Sequence, residues 1–438
     1  MWAATAATDR VAAWLLASVS ALAVAGELVP AWPDWITGAI CWIACAMLWH
    51  KVKPLQRRVV LLLLAFGGAG VAVGTYAGHT GFFNRALTQN LPLVGMLLAV
   101  SFLQLIGAQP GTTEEKLSTG RGALFRTLLG VHLFGAVINY SAVAIFADRL
   151  SARTRLTLDQ ATALSQSFII GAVWSPFYGA MAVALTFAPG ASLTRLMSIG
   201  LPLALIGLTV SWFTLSSRRH GYAREFAGYP LHLEALWLPF ALVVSVLVIH
   251  ELQPAWPVLA IITLTAPILT ALTLLVRDGG LTGAALRRVI DVRLPEMGGE
   301  MALFMSAGVL SAGMAGAVAA FNLGLPFAHF GATEAGITAT AMTLAAWLGF
   351  HPVILGMVIG PWIAQLNPDP NLLAMSLLMP WAFGLTACPL GNTILAVHTR
   401  YQISTRDLLN RNRLYSFQML VLGIVVLHIY ERITIGPV

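Results

Sequence analysis

Charge is what this chain has least of. Of its 438 residues only 10% are Asp, Glu, Lys or Arg, where a soluble domain carries about a quarter. Water solvates so apolar a surface poorly, so one or more soluble domains of this length are excluded. Cysteine is scarce as well. Cys41, Cys45 and Cys388 form no CxxC pair and share no metal-ligand spacing with histidine, so neither a disulfide framework nor a structural metal site is expected. Low-complexity tracts are missing. So are a phosphate-binding glycine loop, an HExxH pair, a Gly-x-Ser-x-Gly elbow, a potassium-filter sequence and an arginine-rich voltage-sensor helix. No catalytic residue and no metal ligand is therefore assigned. The net charge of +7 comes from short basic clusters between apolar runs, a pattern of membrane topology and not of nucleic-acid binding.

What is present is hydrophobic sequence: 58% of the residues, with a mean hydropathy of +0.80. A membrane crossing needs about 20 apolar residues. Runs of that kind lie near 11–29, 33–49, 58–76, 91–108, 197–215, 234–250, 254–276, 300–320 and 415–431. The stretches 159–190 and 371–399 are long enough to cross but are interrupted by proline and glycine. Together these predict about 11 transmembrane helices. Two further apolar pieces, 121–150 and 327–366, read as re-entrant hairpins of two half-helices each. Residues 278–296 read as a short basic interfacial helix. The first run also has the outline of a secretion signal, although Asp9 weakens its charged end and its core is long.

Charge orients this layout. With the N-terminus in the cytoplasm, all 25 Lys and Arg residues except Arg85, Arg195 and Arg432 fall on the inner face. They include the groups Lys51 to Arg58, Lys116 to Arg126, Arg149 to Arg155, Arg218 to Arg224, Arg277 to Arg293 and Arg400 to Arg413. The 121–150 piece has basic residues on both sides, so it enters and leaves on the cytoplasmic face. The expected location is a bacterial-type inner membrane.

The chain also reads as two halves. Pro176 and Pro389 take matching places in two interrupted spans that run in opposite directions, and each half carries one hairpin. The expected organisation is an extra helix at 1–30, a first repeat at 31–216 and an inverted second repeat at 217–438. Inverted repeats place a substrate site near the midplane, where discontinuous helices expose backbone groups.

The interruptions carry the candidate chemistry. The first, Gly171 to Gly179, offers Ser175, Pro176 and Tyr178; the second, Thr386 to Thr393, offers Cys388, Pro389, Asn392 and Thr393. Proline removes a helix hydrogen bond, and the half-helix that follows presents free N–H groups and a positive dipole end suited to an anion. One such kink commonly does no more than shape packing; two in matched positions point to a site. The hairpin tips add Asn139, Tyr140 and Ser141 in the first and His351 in the second. Glu334 stands out as an acid within the second hairpin, and an ionisable group there suggests ion coupling unless it is simply wet.

One leading helix, two inverted repeats, a hairpin in each and a broken helix after each hairpin resemble the ion transporter superfamily. That group includes divalent anion/sodium symporters, the arsenite-pump membrane protein, TRAP large membrane subunits and one class of sodium/proton antiporters. The Trp174-Ser175-Pro176 run after Gly-Ala-Val is similar to the broken-helix motif of the antiporter branch, and Asn139-Tyr140-Ser141 sits where such families carry polar tip residues. The resemblance implies elevator-type movement, often in a homodimer. The expected function is transport of a small anion or organic acid, with Glu334 and His351 as coupling candidates and sodium or a proton as coupling ion. A cation/proton antiporter of the same fold, a TRAP-like subunit and a membrane enzyme are the alternatives. The expected partners are the lipid bilayer and a small-molecule or ion substrate, and no cofactor is expected.

Overall fold

Apolar runs bounded by proline, glycine and capping side chains become helices throughout this chain. The computed structural model describes residues 2–29, 31–107, 117–152, 154–217, 226–229, 237–322, 324 and 327–434. Lys116, Arg153, Arg218, Arg219 and Arg224, which enter the charge argument, lie outside the described residues. Among the described residues nine helices are long and apolar enough to cross a membrane, by length and composition. The chain is a multi-pass, almost wholly helical membrane protein. Three of the expected crossings are not among them: Asp34–Met47 and Phe240–Leu252 are apolar helices of fewer than 18 residues, and 159–190 is divided between shorter helices, while Arg121–Ile138, expected as half of a hairpin, is long enough to count. The first of these starts after Pro33 and ends in a tighter turn at Trp49–Lys51. The basic 278–296 segment is helical and continues directly from Val258–Asp278, with a wide turn at Val289–Arg293.

The chain divides into two compact units. The first comprises Met1–Ile106, Leu242–Pro326 and Met357–Trp362. Its core joins Leu16 and Val19 of the first helix to Cys41, Ala44 and Cys45, and to Leu294, Met301 and Met305. The two cysteines are thus packing residues here. The tightest contact of this unit brings Pro54–Tyr76 against Gly298–Phe321 through glycines on both helices. A Cβ on Gly70 would lie 2.3 Å from the Gly313 carbonyl oxygen, and one on Gly74 2.7 Å from the Gly316 Cα. Small residues let backbones approach where lipid supplies no hydrophobic driving force. Asn90, buried in the same unit, donates to the Phe304 carbonyl at 2.6 Å.

The second unit comprises Gly107–Ala241, Phe327–Gly356 and Ile363–Val438. It opens with a short ribbon in which Ser118 pairs with Gly228 and Thr119 with Ala227. The 121–150 stretch is two helices, Arg121–Ile138 and Ser141–Ser151, joined at Asn139 and Tyr140. Next come Leu158–Ile169, an irregular stretch, and Gly179–Phe187, and then the long helix Leu193–Ser216. Ala332–Trp347 and the start of Pro352–Ile363 meet at a turn through Gly349, whose φ is +106°. Pro370–Ala382, a second irregular stretch and Asn392–Tyr401 follow, and Thr405–Thr434 closes the unit.

Local chemistry sets where these helices start. Thr157 and Gln160 form a reciprocal cap at 3.2 and 2.9 Å ahead of Leu158–Ile169. Asp369 accepts from the Leu372 N–H at 2.9 Å, with Pro370 in the first turn. Asp148 ties the first hairpin to the end of Asn392–Tyr401. It pairs with Arg400 at 2.7 Å and accepts from the Tyr401 hydroxyl at 2.6 Å.

Candidate functional site

Both interrupted helices lie in the second unit, and each breaks where its proline prevents the helix continuing. A broken α-helix leaves carbonyls at the end of its first half and N–H groups at the start of its second, and buried backbone groups of either kind need partners. The two kinds are treated differently here.

At the first break the carbonyls are met by side chains. Tyr178 donates its hydroxyl to the Phe168 carbonyl at 2.6 Å. His132, from the first hairpin, places Nδ1 3.0 Å from the Ser167 carbonyl. A carbonyl only accepts, so Nδ1 carries the proton. Nε2 then accepts from Trp174 Nε1 at 3.1 Å, which fixes a neutral imidazole with both nitrogens engaged. Ser175, fully buried, donates to the Ala136 carbonyl and so binds the break to the hairpin.

The second break is closed by the last helix. Ser416 donates to the Phe383 carbonyl at 2.6 Å and accepts from Trp347 Nε1 at 3.0 Å. Asn412 donates to the Thr386 carbonyl at 2.8 Å and to Ser165 Oγ at 3.2 Å. Its own amide oxygen accepts from Gln166 Nε2 at 3.0 Å, and Gln166 Oε1 accepts from the Ser211 hydroxyl at 2.7 Å. Every member of this chain is buried. It joins the first broken helix, the second break and both long helices that follow.

The N–H ends are left open. Among the described residues no side chain caps Gly179–Phe187 or Asn392–Tyr401. Gly179 and Ala180 are buried, as are Gly391 and Thr393, while Asn392 is exposed. The Gly391 N–H donates to the Cys388 carbonyl at 3.0 Å, and Cys388 itself is buried.

The environments of the two breaks recur along the chain. Tyr140 stands edge-on to Phe168 at 6.3 Å, and His351 stands edge-on to Trp381 at 5.5 Å. The step in numbering from Phe168 to Trp381 is the same as that from Pro176 to Pro389. A Cβ on Gly207 would meet Ile170 at 2.9 Å, and one on Gly423 would meet Phe383 at 2.8 Å. Ile170 and Phe383 are separated by that same step.

Among the residues singled out in the sequence, Ser175, Pro176 and Tyr178 gather around His132 and the first hairpin. Asn139 forms that hairpin's turn with φ +57° and ψ −143°, and its side-chain oxygen accepts from the Tyr140 N–H at 2.8 Å. Ser141 begins the returning arm. Cys388, Pro389, Asn392 and Thr393 form the second break. His351 is at the second tip, where Nδ1 accepts from the Val353 N–H at 3.2 Å. Glu334 lies apart from the tip. It occupies the first turn of Ala332–Trp347, accepts from the Gly331 N–H at 2.9 Å and lies 3.6 Å from His329. At 1.5 Å per residue it lies about 20 Å from the tip end of that helix. Its carboxylate caps the start of that helix. His132, Gln166, Asn412 and Ser416 escaped the sequence reading. His132 and Gln166 could have been found as polar residues within apolar runs, while Asn412 sits between Arg411 and Arg413 and reads there as a wet position.

No protein-family model matches this sequence, and no curated protein matches it. Among solved structures, the chain is similar to the YdaH transporter of Alcanivorax borkumensis, whose crystal structure was reported to reveal an unusual topology. The likeness covers 97% of this chain and 98% of that one, at 13% sequence identity and a TM-score of 0.41. A likeness that distant assigns no activity to this chain.

Proposed function

We propose that this protein is a secondary active transporter that moves a small anion or organic acid across the inner membrane, coupled to protons or sodium. The observation that carries the reading is the opposite treatment of the two kinds of backbone group at the breaks. Side chains consume the freed carbonyls of both first halves, while the N-termini of both second halves are left uncapped. Donors with a positive dipole end suit an anion, and their burial at Gly179 gives such an acceptor a desolvated place to bind. The recurrence of similar contacts, with Phe168 and Trp381, and Ile170 and Phe383, at the step that separates the two prolines, supports two related halves. In the elevator reading, the second compact unit, which holds both breaks, is the body that carries the substrate. Asn139, Ser141, Ser175, Asn392 and Thr393 are its contacts, and Tyr140, Tyr178, Cys388 and the two prolines shape them. Positive-inside charge supports a cytoplasmic N-terminus.

A thermal-stability screen of the detergent-purified protein tests this. The panel holds small carboxylates, sulfonates, oxyanions and amino acids, each with and without sodium and at two pH values. A ligand that binds the folded state raises its apparent stability by mass action. One anion class is expected to raise the melting temperature, and sodium dependence of that rise would name the coupling ion. A rise from cations alone, or from no compound, would sink the anion reading.

Asn139→Gly separates site from scaffold. The turn's backbone geometry is one that glycine adopts without strain, and relief of about 1 kcal/mol offsets loss of the short side-chain bond to Tyr140. The variant is expected to melt within a degree or two of wild type and to lose uptake of the ligand that the screen identifies. Wild-type uptake would remove Asn139 from the site.

A further inference from the structure

We propose that the outer face of the second unit holds an anionic phospholipid, its acyl chain lying between Arg121–Ile138 and Leu193–Ser216 and its headgroup at Arg121 and Arg126. A groove of about 340 Å³ runs between these helices. Phe125 and Leu128 line it from one side, and Leu208, Thr209, Trp212 and Phe213 from the other. Phe125 is 53% exposed and Phe213 61%, so the walls are open to the bilayer. A second groove of about 450 Å³ continues around the same helix and shares Thr209 and Phe213.

The chemistry changes at one end. Arg121 donates to the Ser216 carbonyl at 3.2 Å, and Trp212 Nε1 donates to the Arg121 carbonyl at 3.2 Å. Arg126 donates through Nε to the Gly122 carbonyl at 3.2 Å, which folds its side chain back toward the same helix start. Arg121 therefore sits where the groove meets the end of Leu193–Ser216, and Arg126 folds back toward Gly122 in the same first turns of its helix. Among the described residues neither makes an ion pair with a carboxylate, and each keeps donors unused. Tryptophan beside arginine at the end of an apolar helix marks the headgroup level, and basic pockets at the cytoplasmic ends of helices hold anionic headgroups. A second copy of the chain fits this face less well. A two-fold contact matches a patch with itself, and would set the arginine pair against its own like charge.

Native mass spectrometry of the full chain, released from detergent after incubation with phosphatidylglycerol or phosphatidylcholine of the same acyl length, tests the proposal. Wild type is expected to retain phosphatidylglycerol and little phosphatidylcholine. Arg121→Gln with Arg126→Gln is expected to lose about thirty-fold in affinity, on the order of what two arginines contribute toward an anionic leaflet. Arg126→Gln alone, whose only described bond is to its own helix, is expected to lose part of it with an unchanged elution profile. Thr209→Trp, at an exposed position, keeps both arginines and fills both grooves, and is expected to lose the lipid as well. Equal retention of the two lipids, retention unchanged in the three variants, or a concentration-dependent dimer abolished by Thr209→Trp would overturn the assignment.

Discussion

Replacing Gly313 with leucine is expected to leave no folded protein to purify. Gly313 faces Gly67 so closely that a Cβ would lie 2.1 Å from the Gly67 carbonyl oxygen and 2.7 Å from its Cα. Those atoms are backbone, so no side-chain rotation makes room, and the helices Pro54–Tyr76 and Gly298–Phe321 must separate. Separation would also open the contacts of Gly70 with Gly313 and of Gly74 with Gly316. In lipid no hydrophobic force draws the pair back, because association rests on the packing that has been lost. The cost is about 3 kcal/mol or more, a large share of a typical folding free energy. Size-exclusion profile and melting of the detergent-solubilised variant measure it. Gly68→Leu is the control: it lies on the same helix with nothing within 4 Å of its Cβ position, and should behave as wild type. A monodisperse Gly313→Leu protein with wild-type melting would refute the close approach.

The second large effect is expected from Asn412→Leu. Leucine is of similar size, so the variant removes hydrogen bonds with little change of volume. It leaves the Thr386 carbonyl and the Gln166 amide without partners at fully buried positions, and takes one bond from Ser165. Orphaned buried groups cost about 1–3 kcal/mol each, so a loss of about 2–5 kcal/mol is expected. The second break would also lose the contact that holds its carbonyl end, so the stabilisation by the screened anion should fall with it. Adding Gln166→Leu removes the Gln166 orphan but takes the acceptor from the buried Ser211 hydroxyl, so the double variant should be less unstable than the sum of the two singles without returning to wild type. A double variant that is as unstable as the sum of the two singles would show that the network is not coupled in this way.

The two expectations differ in how visible they were beforehand. Gly67, Gly70 and Gly74, and Gly313 and Gly316, stand in the sequence as small residues at helical spacing within apolar runs. Such spacing marks a face made for close packing, but nothing in it pairs one helix with the other. Asn412 was less visible still. Arg411 and Arg413 flank it, and a basic cluster ahead of an apolar run reads as the wet end of a helix. In the structure that helix begins at Thr405, which puts Asn412 two turns inside it and turned toward the break. Glu334 is legible in two ways: apolar neighbours give it the look of an intramembrane acid, and a carboxylate three residues after Gly331 is also a capping pattern, the contact it makes in the structure.

What composition and local order determined by themselves is the kind of molecule this is and where its helices fail. Proline and glycine act within one turn, through a missing N–H and a missing Cβ, so Pro176, Pro389 and the turn at Asn139 could be placed from sequence. The scarcity of charge and its clustering act through the solvent each segment needs, so membrane crossing was readable in the same way. Tertiary structure alone decided which side chains close the breaks. Asn412 reaches Thr386 across 26 residues of chain and Ser165 across 247, and His132 reaches Ser167 across 35. A hydrogen bond is made by position in space, and the sequence separation of its partners carries no signal of it. The carbonyl ends of the broken helices are closed by side chains of Arg121–Ile138, of Thr405–Thr434 and of the first break itself, brought there by packing.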